Sequence, residues 1–208
     1  MHYNKQDIAD WDRIFRLKII NSITGIKPAN LIGSASKDGA TNLAIFSSLV
    51  HLGSRPALLG FITRPQTDEV GHTLQNIMET GSYTINHIHS EFTEQAHYTS
   101  AKFEKSVSEF EACGFKEEYI EGFKAPFVQQ SRFKMGMSFS QAIDLPNGTK
   151  LVIGEVEHLI LPDIDLKEGD VNLETCGSVG ISGLNSYYDL TKIAQYPFAR
   201  VVEVPDFK

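Results

Sequence analysis

Cysteine is scarce: the 208 residues include only Cys113 and Cys176, far apart in the chain. That excludes a disulfide framework, a CxxC redox pair and a cysteine-built zinc site, leaving two small side chains suited to packing. Positive charge is also short. There are 19 Lys and Arg against 26 Asp and Glu, a formal net charge of −7. The basic residues are scattered, so the cationic surface that releases counterions from a nucleic acid is missing. A single phosphate group could still find a local partner. No apolar run approaches the roughly 20 residues that cross a bilayer, and the opening MHYNKQDIADWDR has no basic-then-apolar leader pattern. With 8 prolines and 16 glycines, no repeat and no low-complexity tract, nothing marks a domain boundary. An apolar share of 41% is too high for a disordered chain. The expectation is one cytoplasmic domain over 1–208, with a core at about 28–200 and an N-terminal helix at about 8–24, binding neither nucleic acid nor membrane.

The hydrophobic pattern changes along the chain. Trp11, Phe15, Ile19 and Ile23 recur at i+4, with Gly25 and Pro28 as stops, which predicts one helix over Ile8–Ile23. Asp38-Gly39 predicts a hairpin between Asn30–Ser36 and Thr41–Val50, and Asn147-Gly148 predicts another between Phe133–Leu145 and Thr149–Leu161. The run Ala57–Ile62 (ALLGFI) predicts a strand buried on both faces. His72–Thr80 changes to helical spacing and meets Gly81 as its C-cap, and Ser82–Ile88 reads as a strand again. Ser106-Val107-Ser108-Glu109 matches a capping box at the start of a helix ended by Gly114. Hairpins without regular βαβ alternation predict a mainly β protein, an antiparallel barrel with short helical insertions.

Most chemical signatures are also missing. There is no HExxH, no GxSxG elbow, no Walker A loop and no GxGxxG. His87 and His89, two apart on a predicted strand, could share a face with His97 nearby and Glu91 or Glu94 as an oxygen ligand. That leaves a metal-binding barrel open, although packed or surface histidines are the simpler reading. A phosphate grip can be assembled differently. Thr63 and Arg64 end the ALLGFI strand, and the helix opening at His72-Thr73 offers amides and the positive end of its dipole. Ser47 and Ser48 punctuate an otherwise apolar strand, where small side chains let a flat ring approach the backbone.

The order of these pieces resembles the flavin reductase-like family, with its FMN-binding split-barrel fold. The residues that carry the resemblance are Asp38-Gly39, Asn42, Ser47-Ser48, Pro56, Arg64, His72-Thr73, Asn76-Ile77, Thr80-Gly81 and Asn86. EQAHYTSAKFEKSVSEFEACGF and GLNSYYDLTKIAQYPFAR are similar to the family's insert and C-terminal segment, so the likeness runs from about Pro28 to Arg200. It implies a six-stranded barrel core and a homodimer holding FMN, less often FAD, near the subunit interface. Asn42 and Phe46, Ser47, Ser48 and Leu49 would line the ring and ribityl chain. Arg64, His72 and Thr73 would hold the phosphate, and Asn86 would support the pocket floor. Tyr187 and Tyr188 would reach a pocket, the partner's included. The acidic turn at Asp68-Glu69 departs from the family pattern and would weaken a phosphate site unless it faces solvent.

The implied activity is that of an oxidoreductase, moving electrons from NAD(P)H through bound flavin to a small acceptor or a partner oxygenase. The cofactor carries the redox chemistry, so no side chain is assigned as acid or base. A flavoredoxin-like electron carrier without nicotinamide activity is the alternative within the same resemblance.

Overall fold

A computed structural model describes residues 1–65, 71–163 and 169–207. The elements run α1 (Lys5–Asp10), α2 (Arg13–Ser22), β1 (Lys27–Pro28), β2 (Asn30–Ala35), β3 (Thr41–Phe46), β4 (Val50–Ser54), β5 (Ala57–Thr63), α3 (His72–Thr80) and β6 (Ser82–His87). After a short 3-10 turn come α4 (Thr93–Tyr98), α5 (Glu109–Ala112), β7 (Glu117–Glu118), β8 (Phe127–Val128), β9 (Lys134–Asp144), β10 (Lys150–Ile160), β11 (Val179–Ser182) and β12 (Ser186–Asp189). The protein is mostly β.

The main sheet has seven strands in the order β3-β2-β6-β9-β10-β5-β4, every pairing antiparallel. Its two edge strands are consecutive in the chain, so the sheet must curl for three residues, Ser47 to Leu49, to join them. Ser48 stitches the corner to β5: its Oγ accepts from Ile62 N at 2.9 Å and donates to Ile62 O at 3.2 Å. Inside the curl, Ile32, Phe61, Tyr83, Ile85, Met137 and Val152 pack with Leu74 and Ile77 of α3. On the outer face, Leu31, Leu43 and Ile88 pack with Ala96 of α4 and Phe110 of α5. A separate three-stranded sheet, β1-β11-β12, flanks this outer layer.

Both hairpins form as the turn residues predict. Ser36 N donates to Ala40 O, and Leu145 N to Thr149 O, each at 2.9 Å. The helix over His72–Thr80 ends on Gly81, whose φ of 75° lets the cap amide reach Ile77 O.

Three expectations are corrected. The N-terminal helix is two helices, because Asp12 accepts from the amides of Ile14 and Phe15 and so starts a new one. ALLGFI is only partly buried, whereas the less apolar NLIGSA of β2 is buried at all six positions. The difference is that β2 is covered on both faces, by α3 inside and the insert helices outside. The capping box at Ser106–Glu109 does not form, and α5 begins at Glu109. β3 ends the sheet order, so amides on its free side lack a ladder partner, and Glu109 instead accepts from Leu43 N at 2.9 Å. Burial pushes the Glu109 carboxyl above its ordinary range.

Candidate functional site

The site is assembled at the inner face of β3. Alternation along the strand turns Asn42 and Phe46 inward. Phe46 joins the inner core and meets Phe61 edge-on, with ring centres 4.9 Å apart. Asn42 faces α3, and its Nδ2 donates to Thr73 Oγ1 at 3.0 Å. One turn further, Asn76 Nδ2 donates to Ser34 Oγ at 3.2 Å. These two buried bonds dock the helix N-terminus on the β2–β3 hairpin. Because Thr73 accepts from Asn42, its own hydroxyl proton remains to donate elsewhere.

The N-cap of α3 is Gly71, which has no side chain to cap with, and the first amides of the helix have no acceptor within the helix itself, at the positive end of its dipole. A solvent-open hollow lies beside it, lined by Thr41, Asn42, His72, Asn76 and Lys105 among others. Lys105 reaches in from the insert and donates to Gln75 Oε1 at 3.4 Å. Glu117 also touches the lining, accepting from Thr41 Oγ1 at 2.6 Å.

At the other end of β3 the ladder stops. Pairing with β2 ends at Phe46, and pairing of β4 with β5 begins at Val50. Ser47, Ser48 and Leu49 therefore stand between the two ladders, half-buried. Five residue steps of extended chain from Asn42 to Ser47 span about 17 Å.

The structure thus brings Asn42, His72 and Thr73 together, with Ser47–Leu49 further along the same strand. Ser48 Oγ is engaged with Ile62, as described. Arg64 follows β5, is exposed, and is not part of the hollow's lining. Thr63 is buried, its hydroxyl donating to Lys150 O. The acidic turn at Asp68-Glu69 lies outside the described residues. Asn86 points elsewhere: its Nδ2 donates to Leu31 O and Thr84 Oγ1, and its Oδ1 accepts from Val128 N.

The three histidines have separate neighbours. His87 Nδ1 bonds Ser178 Oγ, His89 Nδ1 bonds Gly177 O, and His97 Nδ1 bonds the hydroxyl of half-buried Tyr187. Burial, and secondarily the charge of His89, pulls His87 down to about 4. Among the described residues no group of three or more His, Cys, Asp or Glu could hold a metal ion. Tyr188 is exposed. Lys105 was not legible in the sequence, since a lone lysine in an insert carries no motif; Asn76 was part of the family pattern without an assigned role.

Comparison with known proteins decides the family. The sequence matches the Flavin reductase like domain across residues 26–174. The chain belongs to the flavin reductase-like family. A protein described as a candidate flavin reductase with a split-barrel domain, from Shewanella frigidimarina, is 44% identical to this family member, with a TM-score of 0.91 over 96% of this chain and 100% of that one. Nitrilotriacetate monooxygenase component B from Bacillus cereus shares the fold at 18% identity, TM-score 0.83, over 94% and 98% of the two chains. Flavoredoxin of Desulfovibrio vulgaris does so at 18% identity, TM-score 0.73, over 84% and 92%. The split-barrel expectation therefore holds, with seven strands in the main sheet where the resemblance implied six. Among the described residues no helix is long and apolar enough to cross a membrane.

Proposed function

We propose that this flavin reductase-like protein binds FMN along β3 and moves electrons from NAD(P)H to a small-molecule acceptor or a partner oxygenase, working in the cytoplasm as a homodimer. The observation that carries the reading is the Asn42–Thr73 bond, which joins the strand suited to a flat ring to the N-terminal end of a helix, suited to a phosphate. The available donors are the Thr73 hydroxyl, the first amides of α3 and the Lys105 ammonium, the chemistry that a phosphate monoester requires. The strand length then sets the ring end of an extended ligand beside Ser47–Leu49. FAD is the second choice, since one terminal phosphate already satisfies this donor set.

The chemistry such a cofactor supplies is hydride uptake from reduced nicotinamide and delivery of electrons to an acceptor. The protein's part is to hold and orient. Thr73, Lys105 and the α3 amides would fix the tail, with Arg64 and His72 at its margin. Phe46 would back the ring, and the amides of Ser47–Leu49 would face the edge where negative charge develops. No side chain is needed as acid or base. The component B likeness supports an oxygenase as the acceptor.

Flavin titration tests the site. Removing one charge-assisted bond costs about 1.5–3 kcal/mol, so Thr73→Ala and Lys105→Ala should each weaken FMN roughly tenfold or more, and Arg64→Ala, outside the hollow's lining, should weaken it less. Riboflavin, which lacks the phosphate, should be nearly indifferent to all three. Equal FMN affinities throughout would refute the assignment. Anaerobic bleaching of the bound flavin by NADH or NADPH tests the donor. Bound flavin that neither nicotinamide bleaches would favour an electron carrier like flavoredoxin, whose fold this chain shares.

A further inference from the structure

Away from the site, the largest unexplained feature is apolar surface at the two ends of the chain. α2 buries no residue. Its Ile14, Phe15, Leu17 and Ile20 are 45, 51, 44 and 42% exposed, and Ile23 just beyond it is 71% exposed. At the other end, residues 190–207 contain one 3-10 turn, Val201–Glu203, as their regular structure. There Ile193, Tyr196, Phe198, Val201 and Val202 are 84–96% exposed. A lone exposed apolar side chain needs no explanation, but a run of them does.

Both ends are rooted in the same place. α2 leads into β1 and the tail leaves β12, and these strands flank β11 in the small sheet. Lys27 Nζ fastens the root by donating to Asn21 O and to Gly183 O. Neither apolar surface folds onto the other within one chain.

Size and charge indicate what covers them. At 150–250 Å² per aromatic side chain, Tyr196, Phe198 and Phe207 alone present roughly 500 Å². A standard interface takes about 800 Å² from each partner, and Ile193, Val201, Val202 and Val204 supply much of the remainder. The tail's cations are matched inside the chain, Lys192 by Asp170 and Arg200 by Glu203. The tail itself therefore has no surplus positive charge to favour an anionic membrane or a nucleic acid.

We infer that residues 190–207 of one copy pack on α2 of a second copy, and reciprocally. Such an exchange is isologous: tail on helix and helix on tail repeat across a two-fold axis, so both surfaces are used and the assembly closes at two. The inference rests on the two-copy reading above and adds the surface that makes it.

Sedimentation equilibrium of the full chain tests this, alongside the triple variant Phe198→Ser, Val201→Ser, Val202→Ser. All three positions are exposed in the single chain, so folding should survive, which circular dichroism checks. The expected result is a wild-type species of twice the chain mass and a variant whose dissociation constant rises at least about tenfold. As a direct readout, a full chain carrying Ile20→Cys is mixed with one carrying Val202→Cys and treated with a bismaleimide. The native cysteines are both buried. Covalent heterodimer above the background set by a Lys124→Cys chain supports the exchange. A monomeric wild type overturns both the exchange and the homodimer. A dimer that tolerates the triple variant and gives no cross-link above background overturns the exchange alone. Neither measurement depends on flavin, so the proposed cofactor stands or falls separately.

Discussion

Replacing Asn86 separates a structural pin from a flavin contact. Its side chain makes three buried bonds, donating to Leu31 O at 3.1 Å and Thr84 Oγ1 at 2.9 Å and accepting from Val128 N at 2.9 Å. Together they tie β6 to β2 and hold β8 against the sheet. In Asn86→Ala the Val128 amide, on a residue with 0% exposure, is left without its acceptor. A buried orphan donor costs about 1–3 kcal/mol, and each of the other two bonds contributes about 1 kcal/mol. The expected loss is thus about 4 kcal/mol, or about 10 °C in Tm for a chain of this size. Thermal unfolding followed by circular dichroism gives the first number. FMN titration well below the variant's Tm gives the second, and the affinity should change less than about threefold. An unchanged Tm with a large loss of flavin affinity would refute this reasoning and place Asn86 against the cofactor.

Acid should weaken the fold through His87. Burial holds it at about 4 in the folded chain, against an ordinary 6.5, so between those pH values the unfolded chain takes up a proton that the folded one refuses. The contribution is intact above pH 6.5 and lost as pH falls to about 4, a loss of about 3 kcal/mol. Urea unfolding across that window should show a shallower pH slope for His87→Gln than for wild type, and parallel slopes would contradict it. Gly33→Ala should also be severe. A Cβ there would collide with the Pro126 carbonyl oxygen and sit 2.6 Å from Thr84 Oγ1, at about 3 kcal/mol because backbone cannot swing away. An unchanged urea midpoint would show that the 126 loop can move.

Much of the local structure was legible along the chain. Asp38-Gly39 and Asn147-Gly148 each specify a tight turn by their own conformational preferences, and Gly81 specifies where α3 stops. Those decisions involve neighbours only a few residues apart, so the sequence carries them without help. Asn42, His72 and Thr73 were also legible, because the family pattern keeps them in order.

What the chain could not reveal are contacts between distant segments. Glu109 reads as a helix cap, yet it serves an amide on β3 that the end of the sheet leaves bare. Asn86 reads as support for a pocket floor, and only the fold shows that its bonds close on residues from β2, β6 and β8. Lys105 has no motif, and reaches the hollow because the insert folds over the hairpin. The full burial of NLIGSA and the partial burial of ALLGFI follow the same logic: apolar content sets what a strand can bury, and the layers packed above and below it decide what is buried. Sequence alone determined the turns, the cap and the family; the partners of each buried polar group were decided by tertiary structure, because a desolvated donor must take whichever acceptor the fold brings within reach.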